Sequence, residues 1–427
     1  MSTDASKGIS WLSWIIWGAT ALFFLYQYTT LLSFGVISSQ VQSAFAISAT
    51  AFGVLTALYT FVYGFLQLPA GMLLDRMSVR VLLTLCCAIS ATGAAVYGLS
   101  PNVYMAGLGS VLMGAGTTIA FVGAIFLCRR WFPLTIFGLI AGLTVMVGCV
   151  GGAVMQEVLA ALLRPFGWRG IMTGIAGIGG ALTVLLWFIV RDAPERRDPE
   201  EPADEPDASV GLAEGIRIVG GSGQIWLAGI YGGLILGQII AFGSVWNIPF
   251  QMGFYSDLTK SVVVNSCVFI GFGFGAPVIG WISDHFHLRV WPVRISALVV
   301  LLAMGLLLWT PPLPDWAVVT LMLVLGFAAG GSNLSYAFGV ENSPARVSAT
   351  ALGFVATLSF VLGAILQILP GIFLGPATQA GAHEAGNISY TIAQYREAFV
   401  VFPVCSLLAI AVTFMLRETH CRSQAEI

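Results

Sequence analysis

The sequence predicts an all-α integral membrane protein in which twelve transmembrane helices form two six-helix bundles. Of the 427 residues, 58% are hydrophobic and 9% are charged, whereas about a quarter of the residues in a soluble domain are charged. Apolar runs of the roughly 20 residues that a helix needs to cross a bilayer recur along the chain. A short polar motif also occurs twice, at positions 209 residues apart.

The apolar runs fall into two sets of six. The first bundle, residues 1–190, has runs at 11–35, 49–74, 80–98, 103–127, 134–161 and 169–190. The second bundle, residues 224–427, has runs at 224–249, 260–283, 292–310, 316–338, 348–374 and 396–416. Residues 191–223 are rich in Pro, Asp and Glu, a composition that does not bury a core. We therefore predict an acidic cytoplasmic linker between the bundles.

Basic residues in the connecting segments predict the orientation. With the N-terminus inside, fourteen of the 18 Lys and Arg residues fall on the side of the termini and the linker, and four fall on the other side. Cytoplasmic loops of membrane proteins carry an excess of Lys and Arg. The sequence therefore predicts cytoplasmic termini, and the short loops suit a multi-pass protein of a bacterial inner (plasma) membrane.

Other classes of protein are not indicated. The seven cysteines lie mostly in apolar runs and form no CxxC pair, so neither a disulfide framework nor a metal site is predicted. The runs contain no HExxH or GxSxG motif, which argues against an enzyme, and no cofactor is expected. No basic face indicates nucleic acid as a partner. The expected partners are a small-molecule substrate and the lipid bilayer, with the protein itself a monomer.

The repeated motif lies where the second and eighth runs leave the membrane. Residues 71–80 read GMLLDRMSVR, and residues 280–289 read GWISDHFHLR. A small residue lets two helices approach closely, and charges at the mouth of a helix form a plausible latch. The predicted gate consists of Gly71, Asp75, Arg76 and Arg80 in the first copy and Gly280, Asp284 and Arg289 in the second.

This motif resembles the loop motif of the major facilitator superfamily, Gly-x-Leu-x-Asp-Arg-x-Gly-x-Arg, with Ser78 in place of the inner glycine. The likeness extends over essentially the whole chain. Around Tyr63 and Gln67 the sequence is similar to branches that include phagosomal amino-acid and nucleoside carriers and lysosomal dipeptide uniporters. The resemblance implies a transporter whose motif residues latch the two halves together on the cytoplasmic side.

Two departures from the superfamily pattern weaken the case for a proton/drug exchanger. Drug exporters of the superfamily carry a Gly-Pro pair in helix five, where this chain has Gly148 and Cys149. Many proton-linked members carry an arginine in helix four, where this chain has Ser110. Glu157, deep in the fifth run, is the candidate for ion coupling, and an interfacial position near the outer face is its alternative.

The predicted interior otherwise lacks fixed charge, so a multiply charged solute would have nothing to offset its lost hydration. The resemblance implies that helices one, four, seven and ten line a central cavity. Uncharged polar or aromatic residues near the middle of these runs are therefore the substrate-binding candidates. They are Tyr26, Gln27, Thr30, Thr117, Gln238, Trp246, Asn333 and Tyr336, and the resemblance favours them over Tyr63, Gln67, Thr357 and Gln367. Gln27 and Gln238, 211 residues apart, occupy similar places in the two halves.

The sequence thus predicts a secondary-type transporter that moves a small neutral or zwitterionic organic solute by alternating access. An amino acid, a peptide and a nucleoside-like compound are the solutes considered. Two alternatives remain open. An exporter of amphipathic compounds, such as a drug or a siderophore, is favoured by the aromatic, charge-poor interior, and a non-transporting sensor with a transporter fold could use the acidic linker as a signalling arm.

Overall fold

The structure is a computed structural model that describes residues 11–192, 212–310, 313–374, 383–384, 387–388 and 390–422. The helices of the first half are α1 Trp11–Phe45, α2 Ala49–Phe65, α3 Gln67–Arg76, α4 Val79–Gly98, α5 Val103–Thr117, α6 Ile119–Trp131 and α7 Leu134–Ile189. Those of the second half are α8 Leu212–Gly220, α9 Gly223–Ala241, α10 Asn247–Tyr255, α11 Leu258–Phe286, α12 Val290–Trp309, α13 Asp315–Ala329, α14 Leu334–Glu341, α15 Ser348–Leu374, α16 Ile392–Ala398 and α17 Val401–Met415. A hairpin of two short antiparallel strands, β1 His383–Glu384 and β2 Asn387–Ile388, precedes α16.

Ten helical segments of the described chain are long and apolar enough to cross a membrane. One of them, Ile136–Ile189, has 54 residues, more than twice the roughly 20 that a bilayer requires. It breaks at Gly167, where φ is 63° and ψ is 175°, a conformation that glycine adopts without steric cost. The Trp168 N–H freed at the break donates to Gln40 Oε1 at 2.9 Å. Helix α7 therefore consists of two helices joined at Gly167.

Two helices of the second half change their winding part-way. Phe242–Trp246 forms a π-helical turn between α9 and α10. It lies just before Pro249, which has no N–H to donate to the preceding turn. Gly330–Asn333 forms a 3₁₀ turn between α13 and α14, and Ala345–Val347 forms another before α15. Irregular turns inside a helix are frequent at functional sites and hinges.

The two ends of the bundle are named here by what they carry. The hairpin side holds the α1–α2 connection and the β1–β2 hairpin, and the linker side holds the α3–α4 connection and α8. The first half (α1–α7) packs against the second (α8–α17) through three sets of helices. These are α1 with the π turn and α10, α2 and α3 with α15, and α7 with α11.

The halves approach each other closely on the hairpin side. A Cβ built at Gly35 would lie 2.8 Å from the Ser244 carbonyl oxygen, and one built at Gly53 would lie 2.9 Å from the Gln367 carbonyl oxygen. Small residues permit such backbone contact between membrane helices. By contrast, α6 and α14, which end on the linker side, pack against helices of their own halves. The closest backbone approaches between the halves are thus on the hairpin side, although α2 and α3 remain in contact with α15 towards the linker side, where a Cβ at Gly353 would lie 3.4 Å from Leu68 Cα.

Residues 193–211, most of the predicted linker 191–223, lie outside the described residues. The last part of that linker is helical, because α8 spans Leu212–Gly220. A Cβ at Gly215 would lie 3.1 Å from Thr350 Oγ1, so α8 rests against α15. Val219 is buried beside it, and the apolar face of α8 is what ties this segment to the second half.

Candidate functional site

Three tyrosines from both halves lie within electrostatic range of one another between the bundles. Tyr63 of α2 makes an edge-to-face contact with Phe360 of α15, with ring centroids 4.7 Å apart. Tyr28, near the middle of α1, and Tyr336 of α14 are both close enough to Tyr63 to interact with it electrostatically. We name Tyr28, Tyr63 and Tyr336 the central tyrosine cluster. Because it joins α1 and α2 to α14, it spans the interface between the halves.

Two amide side chains adjoin this cluster. Gln27 of α1 and Gln67 of α3 both lie beside the Tyr63 hydroxyl. Gln27 is only 5% exposed, and its Oε1 has no hydrogen-bond partner within the described part of the chain. A buried acceptor left without a partner costs about 1–3 kcal/mol, so such a group calls for an explanation. A solute that donates a hydrogen bond to Gln27 Oε1 would supply the missing partner.

Aromatic rings form the wall next to Tyr28. The Phe24 ring centroid lies 5.0 Å from that of Phe121 and 5.2 Å from that of Tyr28. Helix α7 packs behind these rings, because a Cβ at Gly148 would lie 2.5 Å from Phe24 and one at Gly152 would lie 2.7 Å from Tyr28. Because these glycines of α7 have no side chain, they leave room for the aromatic residues of α1.

The cluster, its two amides and its phenyl neighbours are all uncharged. Tyrosine, glutamine and phenylalanine offer hydrogen bonds and ring faces but no fixed charge to compensate an ion. No group of three or more His, Cys, Asp or Glu side chains that could hold a metal ion occurs in the described ranges. The chemistry that this arrangement supports is the binding of a polar, hydrogen-bonding molecule.

Three of the predicted substrate-binding residues, Thr30, Thr117 and Tyr26, contact other residues of the first bundle. Thr30 Oγ1 donates to the Tyr26 carbonyl at 2.9 Å. Thr117 Oγ1 lies 2.9 Å from the Tyr59 hydroxyl. The Tyr26 hydroxyl fills the space beside Gly179, where a Cβ would lie 2.5 Å from it. Thr117 thus joins α5 to α2, Tyr26 joins α1 to α7, and Thr30 bonds within α1.

Gln238 differs from Gln27 despite their similar places in the repeat. Gln238 Nε2 donates to the Leu234 carbonyl at 2.6 Å, and its Oε1 accepts from Ser406 Oγ at 3.1 Å. Gln238 is fully buried, and both partners belong to the second bundle. Only Gln27 of this pair presents an unpaired atom at the interface between the halves.

The remaining substrate-binding candidates lie in two places. Trp246 Nε1 donates to the Gln367 carbonyl at 2.9 Å, and its ring meets Phe52 edge to face at 6.3 Å. Trp246 therefore belongs to the closed hairpin side. Asn333, at the end of the 3₁₀ turn, is half-buried like Tyr336, which lies three residues later on the same face. Of all eight candidates, Gln27 and Tyr336 are the two that adjoin Tyr63.

The second copy of the motif forms a buried ionic network on the linker side. Arg289 donates through Nε and Nη2 to Glu341 Oε1 at 3.0 and 2.7 Å. Its Nη1 donates to Asp284 Oδ1 at 2.6 Å, and its backbone N–H donates to Glu418 Oε1 at 2.7 Å. The Arg289 side chain is 9% exposed. The network ties α11, α12 and α14 to the segment after α17, all within the second half.

The first copy makes a related contact in its own half. The Arg80 backbone N–H donates to Asp192 Oδ1 at 2.8 Å, as the Arg289 N–H does to Glu418. The Arg80 guanidinium also lies 4.3 Å above the Trp187 ring. Both motif arginines thus begin a helix whose first turn is bound by a carboxylate that follows the last long helix of the same half. The side chains of Asp75 and Arg76 lie outside the described residues.

The two motif glycines do not mark close helix contacts in this structure. Among the described residues, no atom outside the glycine's own surroundings in its helix lies within 4 Å of a Cβ built at Gly71 or at Gly280. The close approach that the sequence predicts at these glycines is therefore not seen among the described residues. Glu157 is exposed on α7, near Cys267 of α11.

A comparison with protein families decides the kind of protein. The family model described as Major Facilitator Superfamily matches residues 16–367, which is most of the chain. The chain belongs to the major facilitator superfamily. It is therefore a multi-pass membrane protein of a transporter family.

Individual relatives within the superfamily differ in what they do. The chain is 26% identical over 380 residues to the membrane sensor protein UhpC of Salmonella typhimurium (strain LT2), covering 83% of each chain. It is 29% identical over 158 residues to a probable L-galactonate transporter of Escherichia coli (strain K12). That second match spans 37% of this chain and 35% of the transporter, so it concerns about a third of that protein.

A solved structure of the superfamily has the same fold. It is the crystal structure of a bacterial homologue of the human lysosomal transporter Spinster, in an inward-facing and unoccupied conformation. The TM-score is 0.76 and the sequence identity is 17%, with 99% of each chain covered. At this identity the likeness concerns the fold alone.

Sequence reasoning missed Tyr28 and Phe360, and it set aside Tyr63 and Gln67. The superfamily resemblance implies a cavity lined by helices one, four, seven and ten. It therefore does not predict a contribution from α2 and α15. One signal could have found the site. Tyr63 and Gln67 are four residues apart and share a helical face, on a helix whose other polar residues are mostly small.

Proposed function

We propose that this protein carries a small neutral or zwitterionic organic solute across a membrane by alternating access. The observation that carries the proposal is the buried, unpaired Oε1 of Gln27 beside Tyr63, at the interface between the halves. In transporters built from repeats, substrates bind near the bilayer midplane at the repeat interface. Gln27, Gln67 and the central tyrosine cluster are the side chains that would hold the solute there.

The topology we propose has twelve membrane crossings. The break at Gly167 divides α7 into two crossings, and α2 with α3 supplies another beyond the segments long enough by themselves. An even number places both ends of the chain on the linker side. The excess of Lys and Arg on that side supports a cytoplasmic location, in a bacterial inner membrane, with the protein acting as a monomer.

The uncharged lining supports a solute without net charge. Moving an ion into a site with no opposite charge costs far more than moving a hydrogen-bonding neutral group. A zwitterion or a hydroxylated ring could use the amides and hydroxyls as partners and the aromatic rings as a packing surface. The relative named as a probable L-galactonate transporter suggests a different solute class, a sugar acid, which carries a charge. The binding experiment must therefore include sugar acids.

The transport cycle follows from which side is shut. The hairpin side is closed by backbone contacts at Gly35 and Gly53, and rocking of one half against the other would open it while closing the linker side. We assign Asp75, Arg76 and Arg80, with Asp284 and Arg289, to the latch that stabilises the state closed to the cytoplasm. Gly71 and Gly280 would then meet their helix partners only in that second state.

The test is a thermal-shift screen of the detergent-purified protein. Amino acids, short peptides, nucleosides, sugars, sugar acids, siderophores and drugs are each added, because a ligand at a hundred times its dissociation constant stabilises the folded state by about 2.7 kcal/mol. Neutral or zwitterionic solutes should stabilise the parent protein and should stabilise Gln27→Leu to a smaller extent at the same concentration. Stabilisation by sugar acids alone would overturn the solute class, and stabilisation by amphipathic compounds alone would favour the exporter.

A second candidate function is that of a sensor. The relative that matches over 83% of both chains is named as a membrane sensor. Exchange of labelled for unlabelled solute across proteoliposomes separates the two functions. A carrier exchanges the solute that stabilises it in the thermal screen, whereas a sensor binds that solute with no exchange above empty liposomes.

A further inference from the structure

Four amide side chains form a continuous hydrogen-bonded chain on the hairpin side. Gln251 Nε2 donates to Asn247 Oδ1 at 3.1 Å, and Asn247 Nδ2 donates to Asn265 Oδ1 at 2.7 Å. Asn265 Nδ2 donates to Gln156 Oε1 at 2.9 Å, and Gln156 Nε2 donates to the Leu32 carbonyl at 3.2 Å. We name Gln251, Asn247, Asn265 and Gln156 the amide chain.

The amide chain is buried, and its donors and acceptors are well matched. Gln156, Asn247 and Asn265 are fully buried, and Gln251 is 3% exposed. Asn265 Nδ2 also donates to the Gly243 carbonyl of the π turn at 2.9 Å. In a low-dielectric interior such bonds strengthen one another, and each group left unpaired is costly. The arrangement is therefore stable only while all its members stay together.

The amide chain crosses the interface between the two halves. Gln156 of α7 belongs to the first half, and Asn265 of α11 belongs to the second. One turn away, Ser266 Oγ donates across the same interface to the Ala153 carbonyl at 3.1 Å. Opening of the hairpin side must therefore separate Asn265 from Gln156 and break this crossing.

We propose that the amide chain is the latch that holds the hairpin side shut, and that Gln156 and Asn265 set the balance between the two states of the transport cycle. The proposal rests on the alternating access proposed above. Amides suit a reversible latch because water replaces their hydrogen bonds when the interface opens, whereas apolar side chains exposed there would be poorly hydrated. The latch therefore holds the closed state without preventing the open one.

If the amide chain is a latch, its loss should change the balance between the closed and open states, which a merely structural network would not do. In the closed state, Gln156→Leu leaves one N–H of Asn265 Nδ2 without an acceptor. In the open state water accepts that hydrogen bond, so the substitution raises the free energy of the closed state relative to the open one. The population open on the hairpin side should then rise about tenfold or more, the ratio that an unpaired buried amide implies. Ser266→Ala, a milder change that preserves the amide chain, should shift the balance in the same direction by less.

The experiment measures the distance between the halves without any solute. Spin labels at Tyr104→Cys and Trp316→Cys, 86% and 73% exposed at the hairpin-side ends of α5 and α13, report opening in a background without the seven native cysteines. Gln238→Leu is the matched control, because it removes buried amide bonds within the second half only. The parent and Gln238→Leu should give the same short distance, and Gln156→Leu should populate a longer one.

Two outcomes would overturn the proposal that the amide chain holds the hairpin side shut. One is an unchanged distance distribution in folded Gln156→Leu and Ser266→Ala proteins. The other is an equal lengthening in Gln238→Leu, which would show that any buried amide has this effect. Because the readout needs no substrate, a protein that opens as expected but transports nothing would contradict the proposed function and leave the latch intact.

Discussion

The Tyr63 hydroxyl of α2 lies beside the Gln27 side chain of α1, whose Oε1 has no hydrogen-bond partner in the described part of the chain. Gln42 and Gln367 also have a buried Oε1 without a partner in the described part of the chain, but their Nε2 atoms donate to the Ser38 carbonyl and to Ser244 Oγ. Gln27 differs from them because it lies beside the Tyr63 hydroxyl. Because a buried acceptor without a partner costs free energy, its removal should not lower the stability of the empty protein. The same atom is available to a solute, and the predictions for these two residues follow.

Replacing Gln27 should affect binding and not stability. Gln27→Leu should weaken binding of the stabilising solute about tenfold, the worth of one hydrogen bond to a buried group, with the melting temperature of the empty protein unchanged or higher. Gln238→Leu is the control, and it should lower the melting temperature because two buried hydrogen bonds are lost. Titration calorimetry and thermal unfolding measure the two effects. Equal loss of affinity in both variants would contradict the site.

The two stacked tyrosines of α2 should behave differently. Tyr63→Phe removes the hydroxyl beside Gln27 and Gln67 and should weaken solute binding several-fold. Tyr59→Phe removes the hydroxyl that meets Thr117 Oγ1 at 2.9 Å, and it should cost about 1 kcal/mol of stability with affinity unchanged. Binding and unfolding of both variants are compared with the parent. A Tyr59→Phe protein that loses more affinity than Tyr63→Phe would move the site into the first bundle.

Asp75→Asn tests the latch assigned to the linker side. The change should slow transport more than it weakens binding, because a gate residue stabilises one state of the cycle and does not touch the solute. Solute exchange in proteoliposomes and binding in detergent are measured on the same preparation. Equal losses of transport and affinity would rule out the gate assignment.

The Arg289 network should contribute strongly to the stability of the second half. Glu341→Gln leaves the Arg289 guanidinium, 9% exposed, with Asp284 as its remaining ion-pair partner, and should cost about 1–3 kcal/mol. The exposed pair of Lys260 and Asp315, 2.7 Å apart, is the control, because water screens it. Asp315→Asn should hardly change the melting temperature. A similar fall in both variants would show that burial of the network is unimportant.

Part of the candidate site could be predicted from the sequence because it depends on the distribution of polar and charged residues along the apolar runs. The lack of charge in the runs led to an uncharged interior, and Gln27 was named from its place near the middle of the first run. Tyr63 was set aside because its helix was expected to lie away from the cavity. Gln156 and Asn265 were not identified as partners, since they are 109 residues apart and no periodicity links residues on different helices.

The sequence by itself determined that this chain folds as a helical membrane protein, because composition and the length of apolar runs are local properties. Only the tertiary structure decided which polar residues are already satisfied and which are not. Gln27 and Gln238 occupy similar places along the chain, yet Gln238 meets Ser406 within its bundle, whereas Gln27 lies beside Tyr63, whose ring contacts Phe360 of the other half. The physical reason is that a hydrogen bond depends on a partner, and the partner of a membrane residue is chosen by how helices pack.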